Sequence, residues 1–229
     1  MLMPARRLWL LRHAQPLIAS GICYGHLDVP ADADATRRAA LAFVDAFLAS
    51  SASSSRLVPE RSNRPPIPIY VSGLQRARQL AEEVCLALHP RTGLGAAIVE
   101  INLQTDGRLN EMDFGIWEGK AWSAIPKTAI EQWSADFARH KFGGKESCQE
   151  VIERVLAAYQ ATLERAHAIQ GSDVIWITHA GVIRAVRYLQ ANGSRAIENV
   201  EAWPREAPGF GDYLCVDLCA DLVMLQPTN

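Results

Sequence analysis

The sequence predicts an α/β fold, a three-layer α/β/α sandwich around a mostly parallel sheet. Three observations predict it. Short apolar runs of strand length alternate with longer stretches whose apolar residues recur at helical spacing. Several of the runs end directly on polar residues, as strands do at the carboxyl edge of an open parallel sheet. The chain has 229 residues, 49% of them hydrophobic, which suits a single domain over residues 1–229 with one core.

The elements follow in order. Leu8-Trp9-Leu10-Leu11 reads as a buried strand. Residues 32–50 read as a helix with Leu41, Val44, Ala46 and Leu48 on its apolar face. Residues 51–67 are rich in Ser, Arg and Pro and read as a surface loop. Ile69-Tyr70-Val71 is a second strand, residues 74–89 a second helix, and Ala97 to Ile101 a third strand. Residues 121–142, rich in Trp and Phe, read as a short helical excursion. Ser147 with Glu150 three residues on makes a capping box. The helix after it carries Val151, Val155 and Tyr159 on one face, with Ile152, Leu156 and Leu163 beside them. Val174 to Ile177 is a fourth strand, and a helix starts near residue 180. Tyr213–Leu218 and Leu222–Leu225 read as two closing strands.

Composition excludes several classes. The formal net charge is −2, so no strong field draws the chain to nucleic acid or an anionic membrane. No apolar run reaches the ~18–20 residues that span a bilayer. The run after Arg6 and Arg7 is too short for a secretory h-region, so no leader is expected. Five scattered cysteines (Cys23, Cys85, Cys148, Cys215, Cys219) without a CxxC pair suit reduced thiols in the cytoplasm. There is no H-x-H or H-x-x-x-H pair, and neither metal nor cofactor is expected. Gly143-Gly144-Lys145 lacks the upstream Gly of a P-loop and runs into Glu146. No G-x-S-x-G elbow is present.

The chemistry collects at strand ends. The first strand ends in Arg12-His13. The second ends in Ser72-Gly73 and leads to Arg76. The fourth ends in Thr178-His179-Ala180-Gly181. Singly, each His reads as a structural residue and each Arg as a solvated cation. Together they put two imidazoles and two guanidiniums at one edge. Guanidinium forks pair with phosphate oxygens. A neutral imidazole can attack phosphorus. Amides from Ala180 onward, at a helix start, favour an anion. His26, His89, His140 and His167 have no such placement. The ligand expected is a small-molecule phosphate ester.

These residues lie in longer motifs. Leu11-Arg12-His13-Ala14-Gln15 resembles the R-H-G signature of the histidine phosphatase superfamily. Ser72 to Ala81 resembles its S-x-L-x-R-A-x-Q-T-A segment. Arg108 to Gly119 resembles L-x-E-x-x-F-G-x-W-E-G. Thr178 to Arg184 matches T-H-x-G-x-I-R. The four segments come in the family's order over residues 11–184. The resemblance implies the phosphoglycerate mutase-like fold and a phosphohistidine intermediate. It implies His13 as nucleophile, Arg12 and Arg76 as phosphate clamps, His179 as the second histidine, and Glu111 as proton donor and then base. Departures are Ala14 for the usual Gly, Gly73-Leu74 for Ser-Pro-Leu, Ala19 for a phosphate-contacting Asn, and Lys145 for a Gly, a cation expected near the pocket rim.

Gly21 to Pro30 (G-I-C-Y-G-H-L-D-V-P) resembles the G-x-C-Y-G-x-x-D-V-P segment of the α-ribazole phosphatase subgroup. That enzyme type removes the 5′-phosphate of α-ribazole phosphate during assembly of the cobalamin nucleotide loop. The likeness implies an aromatic surface for the flat base, with Tyr24, Trp117 and Trp122 as candidates. A broad-specificity phosphatase of the same family is the main alternative. A phosphoglycerate mutase and a non-catalytic phosphate-ester binding protein are weaker ones, because Met112-Asp113-Phe114 is phosphatase-like and all five site residues are present.

Overall fold

The computed structural model describes residues 7–53, 66–89, 100–168 and 173–218. The strands are β1 (Arg7–Arg12), β2 (Ile67–Val71), β3 (Ile101–Thr105), β4 (Val174–Thr178) and β5 (Tyr213–Asp217). They form one sheet in the order β3-β2-β4-β1-β5. β1 to β4 are parallel, with Arg12 opposite Thr178 and Ile67 opposite Ile101. β5 runs antiparallel at one edge, pairing Tyr213 with Leu11.

The helices are α1 (Ala33–Ser53), α2 (Gln75–Leu88), α3 (Lys127–Ala135), α4 (Cys148–Ala168) and α5 (Ala180–Asn192). Strand side chains alternate between faces, and both faces here are covered. Trp9, Leu11, Ile69, Val71, Ile175 and Ile177 pack with Phe43, Val44, Leu80 and Val84 of α1 and α2. Leu8, Leu10, Tyr70 and Trp176 pack with Val151, Val155, Tyr159, Val182 and Val186 of α4 and α5. The expected three-layer α/β/α sandwich is therefore the fold.

Some boundaries and faces differ from the expectation. β3 begins at Ile101, where residues 97–101 were expected; 97–99 lie outside the described residues. The buried stripe of α1 is Ala40, Phe43, Val44 and Phe47, while Leu41 and Leu48 are exposed. The two phenylalanines win because Trp9 offers both of them an edge, at ring-centroid distances of 5.9 and 5.5 Å, and aromatic pairs gain beyond plain area burial. α1 also runs on to Ser53, into the expected loop at 51–67, of which residues 54–65 lie outside the described set. The strand expected at 222–225 lies outside it too.

The capping box forms as written. Ser147 N–H donates to Glu150 Oε2 (2.9 Å), and Glu150 N–H donates to Ser147 Oγ (3.3 Å). The excursion at 121–142 contains a single turn at Trp122–Ala124 and α3. Cys23, Cys85, Cys148 and Cys215 are free thiols. Among the described residues no helix is long and apolar enough to cross a membrane.

Candidate active site

The adjacency of β2, β4 and β1 sets Ser72, His179 and His13 side by side at the carboxyl edge. His13 N–H donates to Thr178 O (3.0 Å), and His13 O accepts from Gly211 N–H (3.1 Å). The residue is thereby pinned from both sides. Its ring is 2% exposed. Nδ1 lies 2.7 Å from Ala14 O. A carbonyl can only accept, so Nδ1 carries the hydrogen and Nε2 keeps its lone pair. Burial, and then the Arg76 charge, push His13 down to about 3. The imidazole is neutral near pH 7, which is the form able to attack.

Arg76 is fully buried on α2. Its Nε–H points at His13 Nε2 (3.3 Å), its Nη1 donates to Leu27 O (2.9 Å) and its Nη2 to Gly25 O (2.5 Å). Arg12 is half-buried, donates through Nη1 to Pro208 O (2.8 Å) and lies 4.0 Å over the Phe210 ring. Burial lowers the pKa of both guanidiniums, yet an arginine stays charged.

His179 is fully buried, with Nε2 2.8 Å from Ser72 Oγ. Asn110 Oδ1 accepts from Gly73 N–H and from the Ser72 hydroxyl, both at 2.8 Å. The Ser72 proton is therefore committed, and Ser72 Oγ accepts from His179 Nε2–H. Burial first, then the nearby His13 and Arg76, hold His179 well below its usual range. Its Nδ1 and Arg12 Nε are buried polar atoms without a hydrogen-bond partner among the described residues. Such atoms call for an explanation. An oxyanion between them gives one, because a phosphate dianion would both accept from Arg12 and favour a proton on His179 Nδ1.

Glu111 follows β3 through the turn at Asp106, whose Oδ1 accepts from Arg108 N–H (2.9 Å). Its carboxylate accepts from Met112 N–H and from Gly181 N–H at the start of α5, both at 3.1 Å. Gly181 permits this approach: a Cβ there would collide with Glu111 Oε1. Ala180 opens α5 immediately after His179, but the next amide serves Glu111. The Arg12, Arg76 and Tyr24 side chains all feel the Glu111 charge.

One residue that sequence reasoning left without a role is Glu118. Its Oε2 accepts from Gly25 N–H (2.9 Å) and Leu27 N–H (3.1 Å). Its Oε1 accepts from His26 N–H and Phe114 N–H, both at 2.9 Å. The loop it folds is the one whose carbonyls hold Arg76. Gly25 fits there because a Cβ would collide with Met112 O. The sequence signal for it is the W-E-G triplet, Trp117-Glu118-Gly119.

The expected aromatics divide. Tyr24 lies at the site, with the Arg76 guanidinium 5.4 Å from its ring. The Trp117 and Trp122 rings both pack on fully buried Phe142, each with centroids 6.0 Å apart, and Trp117 belongs with Phe142 to the small cluster that also contains Cys23. Cys23 is fully buried and its thiol is pushed up to about 12 by burial. Asp28 caps α2, accepting from Gln75 N–H (2.5 Å). Exposed Lys145 lines a polar cavity of about 470 Å³ with Glu111, His26, Asn110 and Arg154. Among the described residues no group of three or more His, Cys, Asp and Glu gathers as a metal site.

A neutral buried imidazole flanked by two guanidiniums and a second imidazole defines a site for transferring an oxyanion group at the carboxyl edge of a parallel sheet. A family model described as histidine phosphatase superfamily (branch 1) matches residues 8–200, and the chain belongs to that family. A Hydrogenobacter thermophilus protein named as a candidate phosphoserine phosphatase is 29% identical over 185 residues, 79% of this chain and 76% of that one. The mycobacterial glucosyl-3-phosphoglycerate phosphatase in complex with VO3 superposes with a TM-score of 0.66 at 21% identity, covering 92% of this chain and 90% of that one. TTHB049 from Thermus thermophilus gives 0.53 at 24%, covering 92% and 93%. These two likenesses concern the fold.

Proposed function

We propose that this protein hydrolyses phosphomonoesters through a phosphohistidine on His13, with α-ribazole 5′-phosphate as its substrate. The observation that carries the chemistry is the His13 tautomer: Nδ1 is tied to Ala14 O, and the Nε2 lone pair faces the Arg76 guanidinium. In the first step Nε2 forms a bond to phosphorus as the bond to the leaving oxygen breaks, and Glu111 gives that oxygen a proton. Arg12, Arg76 and protonated His179 bind the three phosphoryl oxygens, whose charge they meet in the transition state. In the second step water attacks phosphorus, its proton goes to Glu111, and the P–N bond electrons return to Nε2. Inorganic phosphate leaves. The cations supply the positive charge that a metal would otherwise bring.

The substrate assignment rests on the Gly21–Pro30 likeness and on Tyr24, whose ring lies beside the Arg76 guanidinium. A second reading comes from the relatives' names, which point to carboxylated or sugar-acid esters. Lys145 could meet a carboxylate. Four acidic side chains, Glu111, Asp113, Glu146 and Glu150, line the same cavity; Glu146 is paired with Arg154 at 2.7 Å and Glu150 with Lys141 at 2.6 Å. Turnover of α-ribazole 5′-phosphate, phosphoserine, 3-phosphoglycerate and an aryl phosphate, compared by kcat/KM, tests the assignment. α-Ribazole 5′-phosphate is expected to lead; if it is no better than the others, the cobalamin role fails and the phosphatase chemistry stands. On the same footing, the partner is a small phosphate ester rather than nucleic acid or membrane, and the compartment is the cytoplasm.

A further inference from the structure

A second cavity, of about 320 Å³, opens on Glu111 between α3, α4, α5 and residues 200–203. That volume is at the lower end of the ~300–1,000 Å³ of small-molecule sites. Glu111 and Gly181, which bond each other, border it. Trp133, Phe137, Val151 and Trp203 give it apolar walls. The Trp133 ring is held by stacking on Phe142 (4.5 Å) and Phe137 (5.5 Å), so its wall is preorganised. Arg184 also lines it, and its charge is felt by Arg12. The cavity thus meets the site at Glu111 on one side and is apolar on the other.

Two polar atoms of this lining are unpaired. Trp133 Nε1 and Arg184 Nε are buried with no hydrogen-bond partner among the described residues. Both are obligatory donors. Buried donors are ordinarily satisfied, and two left open in one small cavity match a ligand that brings acceptors. We infer that this cavity receives the leaving group of the substrate. That group is a flat, uncharged ring system on a sugar, which together carry acceptor atoms for Trp133 Nε1–H and Arg184 Nε–H. This inference rests on the proposed phosphatase reading and deepens it, because the leaving oxygen must lie beside Glu111, which borders the cavity. The substrate class is then a ring-bearing sugar phosphate of nucleoside type, and the ring is recognised by Trp133 and Trp203 instead of Trp117 and Trp122.

The test compares two phosphates of a ribose primary hydroxyl, α-ribazole 5′-phosphate and ribose 5-phosphate, in which the ring of the first replaces the anomeric hydroxyl of the second. The wild type is expected to favour the first by about tenfold or more in kcat/KM. Trp133→Phe keeps a stacking ring and removes only the N–H, and should cut that ratio about fivefold. Trp203→Ala removes wall area from a half-buried position outside the Phe142 stack, and should cut it similarly. A wild type without preference for the ring, or a ratio untouched by both variants, overturns the inference. Absence of turnover on both esters and on an aryl phosphate, with no phosphate on His13, would instead overturn the phosphatase reading beneath it.

Discussion

Replacing Glu118 by Gln should damage catalysis without touching any reacting atom. Each carboxylate oxygen of Glu118 accepts two backbone N–H groups, from Gly25, His26, Leu27 and Phe114. Glutamine keeps one acceptor oxygen and turns an NH2 toward two donors. Two charge-assisted hydrogen bonds are lost, each worth ~1.5–3 kcal/mol in a buried setting. Glu118 is half-buried and two of the amides are exposed, so about 2–3 kcal/mol for the whole change is the reasonable discount. The loop at 25–27 then loosens, and Arg76 loses the ordering of its Gly25 and Leu27 carbonyl anchors. If the loop's freedom is passed on in full, kcat/KM falls by roughly 30–100-fold, since ~1.4 kcal/mol is a factor of ten. With Arg76 in its proposed role as a phosphate clamp in both ground and transition states, the Ki of inorganic phosphate and the KM should rise along with the fall in kcat. The assay is steady-state kinetics on an aryl phosphate with phosphate inhibition, together with a urea melt to confirm folding. A folded Glu118→Gln enzyme with wild-type kcat/KM and wild-type phosphate Ki would refute the clamp.

Three further outcomes follow from the geometry. Glu111→Gln should slow esters of poor alcohol leaving groups far more than aryl phosphates, whose leaving groups need little protonation; equal losses on both would give Glu111 another role. His13 has a folded pKa of about 3 against ~6.5 unfolded, so its contribution to stability is complete above pH 6.5 and is lost as pH falls toward 3, amounting to about 2 kcal/mol at pH 5. His179 acts in the same direction, and urea melts at pH 7 and pH 5 should show His13→Asn losing less stability than the wild type; equal losses would place His13 in water. Exhaustive chelation should leave activity intact while vanadate inhibits, and activity lost to a chelator and restored by magnesium or zinc would contradict charge supply by arginine and histidine alone.

The strand ends were legible because periodicity and chemistry coincide there. Leu8–Leu11 and Val174–Ile177 are short apolar runs that stop on Arg12-His13 and Thr178-His179, and a parallel sheet brings such ends together. The capping box at Ser147 was legible for a similar reason, being a local hydrogen-bond pattern. What could not be read depended on contacts distant in sequence. The phase of α1 turns on Phe43 and Phe47 meeting Trp9, whereas periodicity alone puts Leu41 and Leu48 on the apolar face. Three of the four amides that Glu118 serves lie some 90 residues away, so the W-E-G triplet marks the residue without showing what it holds. Trp117 and Trp133 are alike as residues and both pack on Phe142; only the fold shows that Trp133 also forms the wall beside Glu111. The likeness at Gly21–Pro30 also acquires a structural meaning, since Gly25 and Asp28 build the Arg76 loop and cap α2.

The central claim is that His13 Nε2 carries the phosphoryl group between the two chemical steps. Rapid quenching into alkali during turnover of a radiolabelled phosphomonoester, followed by peptide mapping, tests it directly. The account predicts acid-labile, alkali-stable phosphate on the peptide containing His13, turning over as fast as product forms. It predicts no label in His13→Ala, whose kcat should fall by several orders of magnitude. Turnover by the wild type with no phosphate on His13, or near-normal turnover by His13→Ala, would contradict it.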